Sequence, residues 1–261
     1  MRIQSFSEAL TRVYIENPCR AQPNALWKTL KSLDSFHKDY IIENGEVKAI
    51  KLWNSEMLHT FWDKDDEIDI NWLDMNQFKM ILLHEKQLTE NIQDQFPNIK
   101  SYFKLQYDNK EVMDIDTPQD FYIRDVNINT ELQMVSDLIC LCYDDIKPSV
   151  EEVKRWTKHS VFHNDLWIWI IDKNTEKPVA LGIAELDSSI KEGALEWIQV
   201  LPHYQGKKLG KVLVLELLKR LKPYANFTTV SGETNNRTNP ERLYRSCGFI
   251  GNDIWHVLRR G

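Results

Sequence analysis

The sequence predicts an α/β protein with a central mixed sheet flanked by helices, preceded by a second mixed α/β region. Three observations carry that prediction. From Phe121 onward the apolar pattern reads strand, two helices, three strands, helix, strand, helix, strand, an order suited to a sheet with helices on both faces. Within it, Leu195 to Leu221 reads as a buried strand, a short glycine-bearing turn and an immediate helix. Finally, 261 residues with no internal repeat and no low-complexity linker suit one large or two small domains.

Residues 1–118 are the less regular part. Ser5 or Ser7 is placed to cap a helix reaching Tyr14, and Leu26, Leu30 and Leu33 fall in helical register between Asn24 and Phe36. Asn44-Gly45 between apolar flanks signals a hairpin over Ile41–Ile50. The pattern predicts a helix over Met75–Gln95, stopping before Pro97, and a strand over Tyr102–Tyr107. The acidic run Asp63–Asp69 lacks the glycine and closing glutamate of a calcium loop and reads as a solvated loop. A turn signal at Asp116-Thr117-Pro118 divides the chain into 1–118 and 119–261.

In the second part, Phe121–Arg124 is a strand, and Asn129 or Thr130 caps a helix carrying Leu132, Val135, Leu138, Ile139 and Cys142. Ser149 and Glu152 form a capping box for a helix to about His159. Leu166–Ile171 and Val179–Leu186 form a hairpin, followed by the central strand Leu195–Leu201, which Pro202 closes. The next helix places Gly210, Leu213, Leu217 and Leu221 on one face and most of its lysines on the other. Phe227–Ser231 is a strand, Asn239 and Pro240 open a short helix, and Ile254–Leu258 is the last strand.

Composition narrows the function. A net charge of -6, with 28% charged residues, gives no support to a nucleic-acid binder. The four cysteines (Cys19, Cys140, Cys142 and Cys247) show no metal-ligand spacing, so no metal is expected and free thiols in a reducing compartment are. No long apolar run or leader pattern is present, which predicts a cytoplasmic protein without membrane association.

The strand-to-helix turn is where chemistry concentrates. A strand running straight into a helix leaves unpaired backbone N–H groups at the positive end of the helix dipole. Lys207, Lys208 and Lys211 add charge there. This is an anion site suited to a di-anionic phosphate ester.

Gln205-Gly206-Lys207-Lys208-Leu209-Gly210 resembles the pyrophosphate loop of the GNAT superfamily of N-acetyltransferases, Arg/Gln-x-x-Gly-x-Gly/Ala, except that Lys208 stands where the middle glycine is usual. Downstream, Leu243-Tyr244-Arg245-Ser246-Cys247-Gly248-Phe249 resembles the Leu-Tyr-x-x-x-Gly-Phe that ends that domain. The resemblance implies the GNAT (acyl-CoA N-acyltransferase) fold for 119–261, with acetyl-CoA as co-substrate. It further implies that main-chain groups of Ile198, Val200 and Leu201 pair with the pantetheine arm and that Gln205–Lys211, Leu209 included, hold the pyrophosphate. Tyr244 matches the family's general acid, and Glu196, four residues before Val200, matches a catalytic glutamate of some members. Glu185, Asp187, Glu233 or a water chain are other bases. Asn239 is expected at the coenzyme or as a helix cap alone, and Arg237 departs from an asparagine common in relatives. His163 and His203 are expected to be bystanders, and Trp167, Trp169 and Trp197 core.

The activity so implied is transfer of an acetyl group to a primary amine, on a small molecule or peptide, by direct attack in a ternary complex. A coenzyme-A-binding regulatory pseudo-enzyme and a transferase of another acyl group are the alternatives. The resemblance leaves room for a homodimer. Residues 1–118 are expected to be a mixed α/β domain covering part of the acceptor cleft, with a degenerate half of a second acetyltransferase domain as the alternative.

Overall fold

The computed structural model describes residues 3–63 and 77–260. The chain forms two compact units. One consists of the residues up to Gln106 together with Ser231–Glu241 and the segment from Gly251; the other is Tyr107–Val230 with Arg242–Ile250. The division therefore falls before the expected 118, and the chain's last strand belongs with its beginning.

In the first unit, α1 (Phe6–Glu16) is capped by Ser5, whose side chain accepts from the Glu8 amide. Short helices α2 (Pro18–Ala21) and α3 (Leu26–Leu30) follow. Helix α3 is much shorter than the predicted Asn24–Phe36. The Asn44-Gly45 hairpin forms as predicted, with both residues at positive φ (51° and 80°), between β1 (His37–Glu43) and β2 (Glu46–Trp53). Strand β3 (Met57–Asp63) pairs antiparallel with β2 and parallel with β4 (Met80–His84).

Strand β4 interrupts the helix predicted over Met75–Gln95, whose first two residues lie outside the described ones; among the described residues of that span only α4 (Glu90–Gln95) is α-helical. Ile81, Leu82 and Leu83 are buried in β4, which pairs with β3 on one side and β11 (Ile250–Arg259) on the other. Long-range pairing thus overrides a local helical period. The unit's strand order is β1-β2-β3-β4-β11-β5, with β5 spanning Asn98–Asp108. The acidic run after Asp63 lies outside the described residues.

The second unit follows the predicted order. Strand β6 (Phe121–Asp125) leads to α5 (Leu132–Cys142) and α6 (Val150–Trp156). The residue before α5 is Glu131, not Asn129 or Thr130, and it makes no cap bond. Its carboxylate instead takes the Arg124 guanidinium (2.6 Å), the Asn127 amide (2.8 Å) and the Trp169 indole N–H (3.0 Å). The Ser149–Glu152 capping box is present. Strands β7 (Trp167–Asp172), β8 (Lys177–Asp187) and β9 (Glu192–Val200) are antiparallel neighbours, and β10 (Phe227–Glu233) pairs parallel to β9. The order is β10-β9-β8-β7-β6.

Helix α7 (Leu209–Leu221) connects β9 to β10 and buries Leu213, Leu217 and Leu221 completely. Each such leucine contributes about 1.5–3 kcal/mol. Gly193 permits that approach: a Cβ there would meet Leu221 Cδ1 at 2.7 Å and Thr228 Oγ1 at 2.8 Å. Helix α8 (Pro240–Ser246) precedes β11.

The two units share a strand pattern. In each, an antiparallel pair contains a one-residue β-bulge, and the following parallel pair stops short. In the second unit the bulged residue is Glu196, and pairing with β10 ends at Leu195. In the first it is Phe61, and pairing of β3 with β4 ends at His59.

Candidate active site

The bulge determines what β9 presents. Strict alternation would put Glu196 on the face of Ile198 and Val200. Because Ile183 faces Trp197 while Ala184 faces Leu195, Glu196 is the extra residue, and it lines one pocket together with its neighbour Trp197. Glu196 therefore leaves the face that strict alternation would assign it, because a bulge breaks the period of two.

Beyond Leu195, β9 has no registered β10 partner among the described residues. Leu201 turns its N–H to Val179 O (3.0 Å) and accepts from the Tyr204 amide (2.8 Å), so its main chain is already engaged. By alternation, Ile198 and Val200 direct their main-chain groups to the opposite, open edge. The Gln205 side chain caps that edge, donating to Val200 O at 3.3 Å.

The turn into α7 is an exposed ring of backbone donors. Gly206 has φ 79°, Lys208 has φ 65° and ψ 7°, and Leu209 begins the helix. The first backbone bond into the helix is from Val212 to Lys208 O (3.1 Å), which leaves the amides of Leu209, Gly210 and Lys211 to other acceptors. Gly210 is needed for packing: a Cβ there would stand 3.1 Å from Leu243 Cδ2 on α8. The Lys207 ammonium lies 5.6–5.8 Å from the Tyr204 and Phe121 ring centres. Lys208 is exposed, and Lys211 is half-buried near Cys247, whose thiol its charge acts on.

Tyr244, on α8, is 7% exposed. Burial raises its pKa above the usual phenol value, and the neighbouring acidic groups Tyr143, Cys247 and Glu196 push the same way. It therefore holds its proton throughout the neutral range and interacts electrostatically with Glu196. Tyr143, just past α5, accepts from Gln199 Nε2 at 2.8 Å and packs its ring edge on Trp197 (6.1 Å, 79°). Sequence reasoning missed Tyr143, because a tyrosine after a helix end carries no motif.

The pocket around Glu196 is shallow, a cavity of about 20 Å³ that opens to solvent. Its lining is Trp156, Phe162, Trp167, Ile183, Glu185, Glu196 and Trp197. Trp156 and Trp197 stack on one another (5.3 Å, 18°), and Phe162 meets Trp167 edge-on at 5.7 Å. Trp169 is core, as expected, whereas Trp167 and Trp197 are pocket walls as well as core. Asp187, His163 and His203 do not line the pocket.

Asn239 sits at φ 47° directly before α8, exposed, with its amide on Asn236 O (2.9 Å). Burial pushes the thiols of Cys142 and Cys247 up to about 11, so neither is an activated nucleophile. Among the described residues all four cysteines are free, no group of His, Cys, Asp and Glu could hold a metal ion, and no helix is long and apolar enough to cross a membrane.

The strand pair thus parts at a bulge, beside a turn of backbone donors that opens a helix. Residues 164–250 match the family model described as the acetyltransferase (GNAT) domain. Several solved structures share the fold. A GCN5-related N-acetyltransferase from Sphaerobacter thermophilus aligns with a TM-score of 0.71 at 11% identity, covering 99% of this chain and 94% of its own. A GNAT-family acetyltransferase from Colwellia psychrerythraea gives 0.62 at 13% identity, covering 100% and 99%. A tandem GNAT protein from the clavulanic acid biosynthesis pathway gives 0.55 at 11%, covering 96% and 92%. No curated protein matched the chain.

Proposed function

We propose that the second unit transfers the acetyl group of acetyl-CoA to a primary amine by direct attack in a ternary complex. The observation that carries this reading is the end of β9–β10 pairing at Leu195, beside the bulge that turns Glu196 into the pocket. The open edge of β9 at Ile198 and Val200 suits the amides of a pantetheine arm. The Gly206–Lys211 turn suits the pyrophosphate, with Lys208 and Lys211 adding charge.

In the reaction the amine nitrogen attacks the thioester carbonyl, forming C–N as C–S breaks. Glu196 takes the proton the amine loses, and Tyr244 supplies one to the departing thiolate. The raised Tyr244 pKa keeps that proton available at neutral pH. The buried thiols favour this direct route over an acyl-cysteine intermediate. Four free cysteines fit a cytoplasmic setting.

We infer that the first unit is a second, non-catalytic copy of the fold. Its bulge carries Phe61, whose ring lies 3.6 Å from that of His59 and 6.4 Å from that of Phe6. An aromatic plug thus stands where the second unit has a carboxylate.

The test is calorimetric titration with acetyl-CoA, followed by thiol release with an amine panel. The expected result is micromolar binding at one site per chain. In Tyr244→Phe, binding is retained while kcat falls about 10²–10⁴-fold, the usual worth of a positioned acid. No binding of any coenzyme A ester would refute the reading. Binding without turnover across the panel would favour a regulatory pseudo-enzyme, and turnover only with a longer acyl group would change the donor.

A further inference from the structure

We infer that Asp172, Tyr204 and Lys207 form a clamp at the end of β7 that holds the Gln205–Lys211 turn in its anion-binding shape. Lys207 is then a positioning residue and not a ligand of the phosphates. This rests on the transferase reading above.

The turn has little support of its own. A Cβ at Gly206 would meet nothing within 4 Å, and the Lys208 side chain makes no cap bond. Both residues hold positive φ in an exposed segment. Exposed backbone with few contacts belongs to the easily opened part of a structure. An anion site of bare amides works only while those amides converge, and holding them so beforehand favours binding. The residues just before and within the turn are fastened instead by side chains to a neighbouring hairpin.

Tyr204 makes the central contact. Its hydroxyl donates to Asp172 Oδ2 at 2.9 Å, and its ring meets Phe121 edge-on at 6.1 Å. Its amide donates to Leu201 O at 2.8 Å, so main chain and side chain are both held. Asp172 is itself fixed. It is 8% exposed, stands opposite Phe121 in the β6–β7 register, and its Oδ1 accepts from the amides of Asn174 (2.8 Å) and Thr175 (3.4 Å). The Lys207 ammonium lies 5.6 Å from the Tyr204 ring centre and 5.8 Å from that of Phe121, within cation–π reach. Its charge acts on Asp172.

The sign of the Asp172 charge separates a clamp from plain electrostatics. A carboxylate whose field reaches Lys207 also opposes an anion bound at the same turn. On charge alone, Asp172→Asn should tighten coenzyme binding. In the clamp this carboxylate is the acceptor that holds Tyr204, so the same change weakens binding. Asparagine keeps an oxygen for the two amides but can place its amino group where Tyr204 needs an acceptor.

The experiment titrates the full chain with acetyl-CoA by calorimetry, comparing the parent with Tyr204→Phe, Asp172→Asn and Lys207→Met. Tyr204→Phe and Lys207→Met are also each combined with Asp172→Asn. Tyr204→Phe and Asp172→Asn should each raise Kd about tenfold, the scale of one hydrogen bond to a charged group. In both, kcat at saturating acetyl-CoA should stay at the parental value while KM for the coenzyme rises. Lys207→Met alone should raise Kd about threefold, the scale of an exposed cation–π contact. Because the three act as one unit, either change added to Asp172→Asn should weaken binding by less than about twofold more. Hydrogen exchange of the unliganded protein is followed in parallel, and the amides of residues 204 and 205 should exchange about fivefold faster in Tyr204→Phe and in Asp172→Asn.

Tighter binding by Asp172→Asn, an unchanged Kd in Tyr204→Phe, or a Lys207→Met effect that adds in full to Asp172→Asn would overturn the inference. A lowered melting temperature with Kd unchanged would make the contacts structural only and overturn it as well. If no coenzyme A ester binds the parent, the transferase reading falls by itself. The clamp is then decided by hydrogen exchange, and unchanged exchange in the two variants overturns it.

Discussion

Lys208 holds a left-handed backbone directly before α7, and its side chain makes no cap bond there. For an L-residue this conformation costs about 1–2 kcal/mol, because Cβ crowds the following carbonyl. Glycine removes that crowding but returns about 0.5–1 kcal/mol as extra freedom of the unfolded chain. Lys208→Gly should therefore stabilise the second unit by about 0.5–1 kcal/mol, raising its melting temperature by roughly 1–4 °C. Alanine keeps Cβ and removes the charge, so Lys208→Ala should not rise in the same way. The assay is thermal unfolding of both variants at low and high salt. Any gain from relieved repulsion with Lys207 and Lys211 is shared by both and screened by salt; the difference between glycine and alanine is not. Equal stability of the two variants, or a glycine variant less stable than the alanine one, would refute the backbone argument. On the transferase reading both variants lose the same modest, salt-dependent share of coenzyme affinity.

Three further outcomes follow from the packing and the charges. Gly193→Ala should destabilise the protein by about 1–3 kcal/mol, since its Cβ would strike Leu221 and Thr228; a urea midpoint equal to the parent's would contradict this. His59 is buried and its pKa is lowered to about 3 by desolvation. A depressed histidine pKa means that its contribution is fully present above the unfolded value near 6.5 and is lost as pH falls toward 3. Stability should drop by about 1–2 kcal/mol between pH 6.5 and 5, and His59→Leu should flatten that slope in urea titrations. Glu131 is held down to about 2, first by the Arg124 guanidinium, so its contribution is present above pH 4.5 and lost between there and 2. Glu131→Gln should cost about 1.5–3 kcal/mol at pH 7 and leave a shallower acid transition by circular dichroism.

The strand, turn and helix from Leu195 to Leu221 were legible because each uses a local signal: an apolar run, glycines in a short turn, and leucines at helical spacing. The Asn44-Gly45 hairpin was legible for the same reason. Strand β4 was not. Its apolar residues fit a helical period, and only pairing with Trp255–Arg259, some 170 residues later, makes them a strand. The site was read in part. Its loop and Tyr244 carry a motif, but the bulge at Glu196 leaves no mark in an alternating pattern, since nothing in a sequence says that one residue is extra. The tryptophans were read as core because an indole facing a pocket and one facing a core are the same letter. Only Phe162 and Trp156, brought from α6 and the loop after it, distinguish them.

The place of β11 sets the order in which this protein can be completed. Strand β11 covers the edge of β4 through Trp255 to Arg259, and the Trp255 indole donates to Cys19 O at 2.8 Å. A ribosome delivers residues up to Gln106 first, yet their sheet stays one strand short until residue 259 has emerged. During that interval β4 offers an unpaired apolar edge of the kind that recruits other chains. The unit that holds β1 to β4 is thus closed only once Ile250–Arg259 is made, and a chain cut before Ile250 would leave that unit without the strand that covers β4.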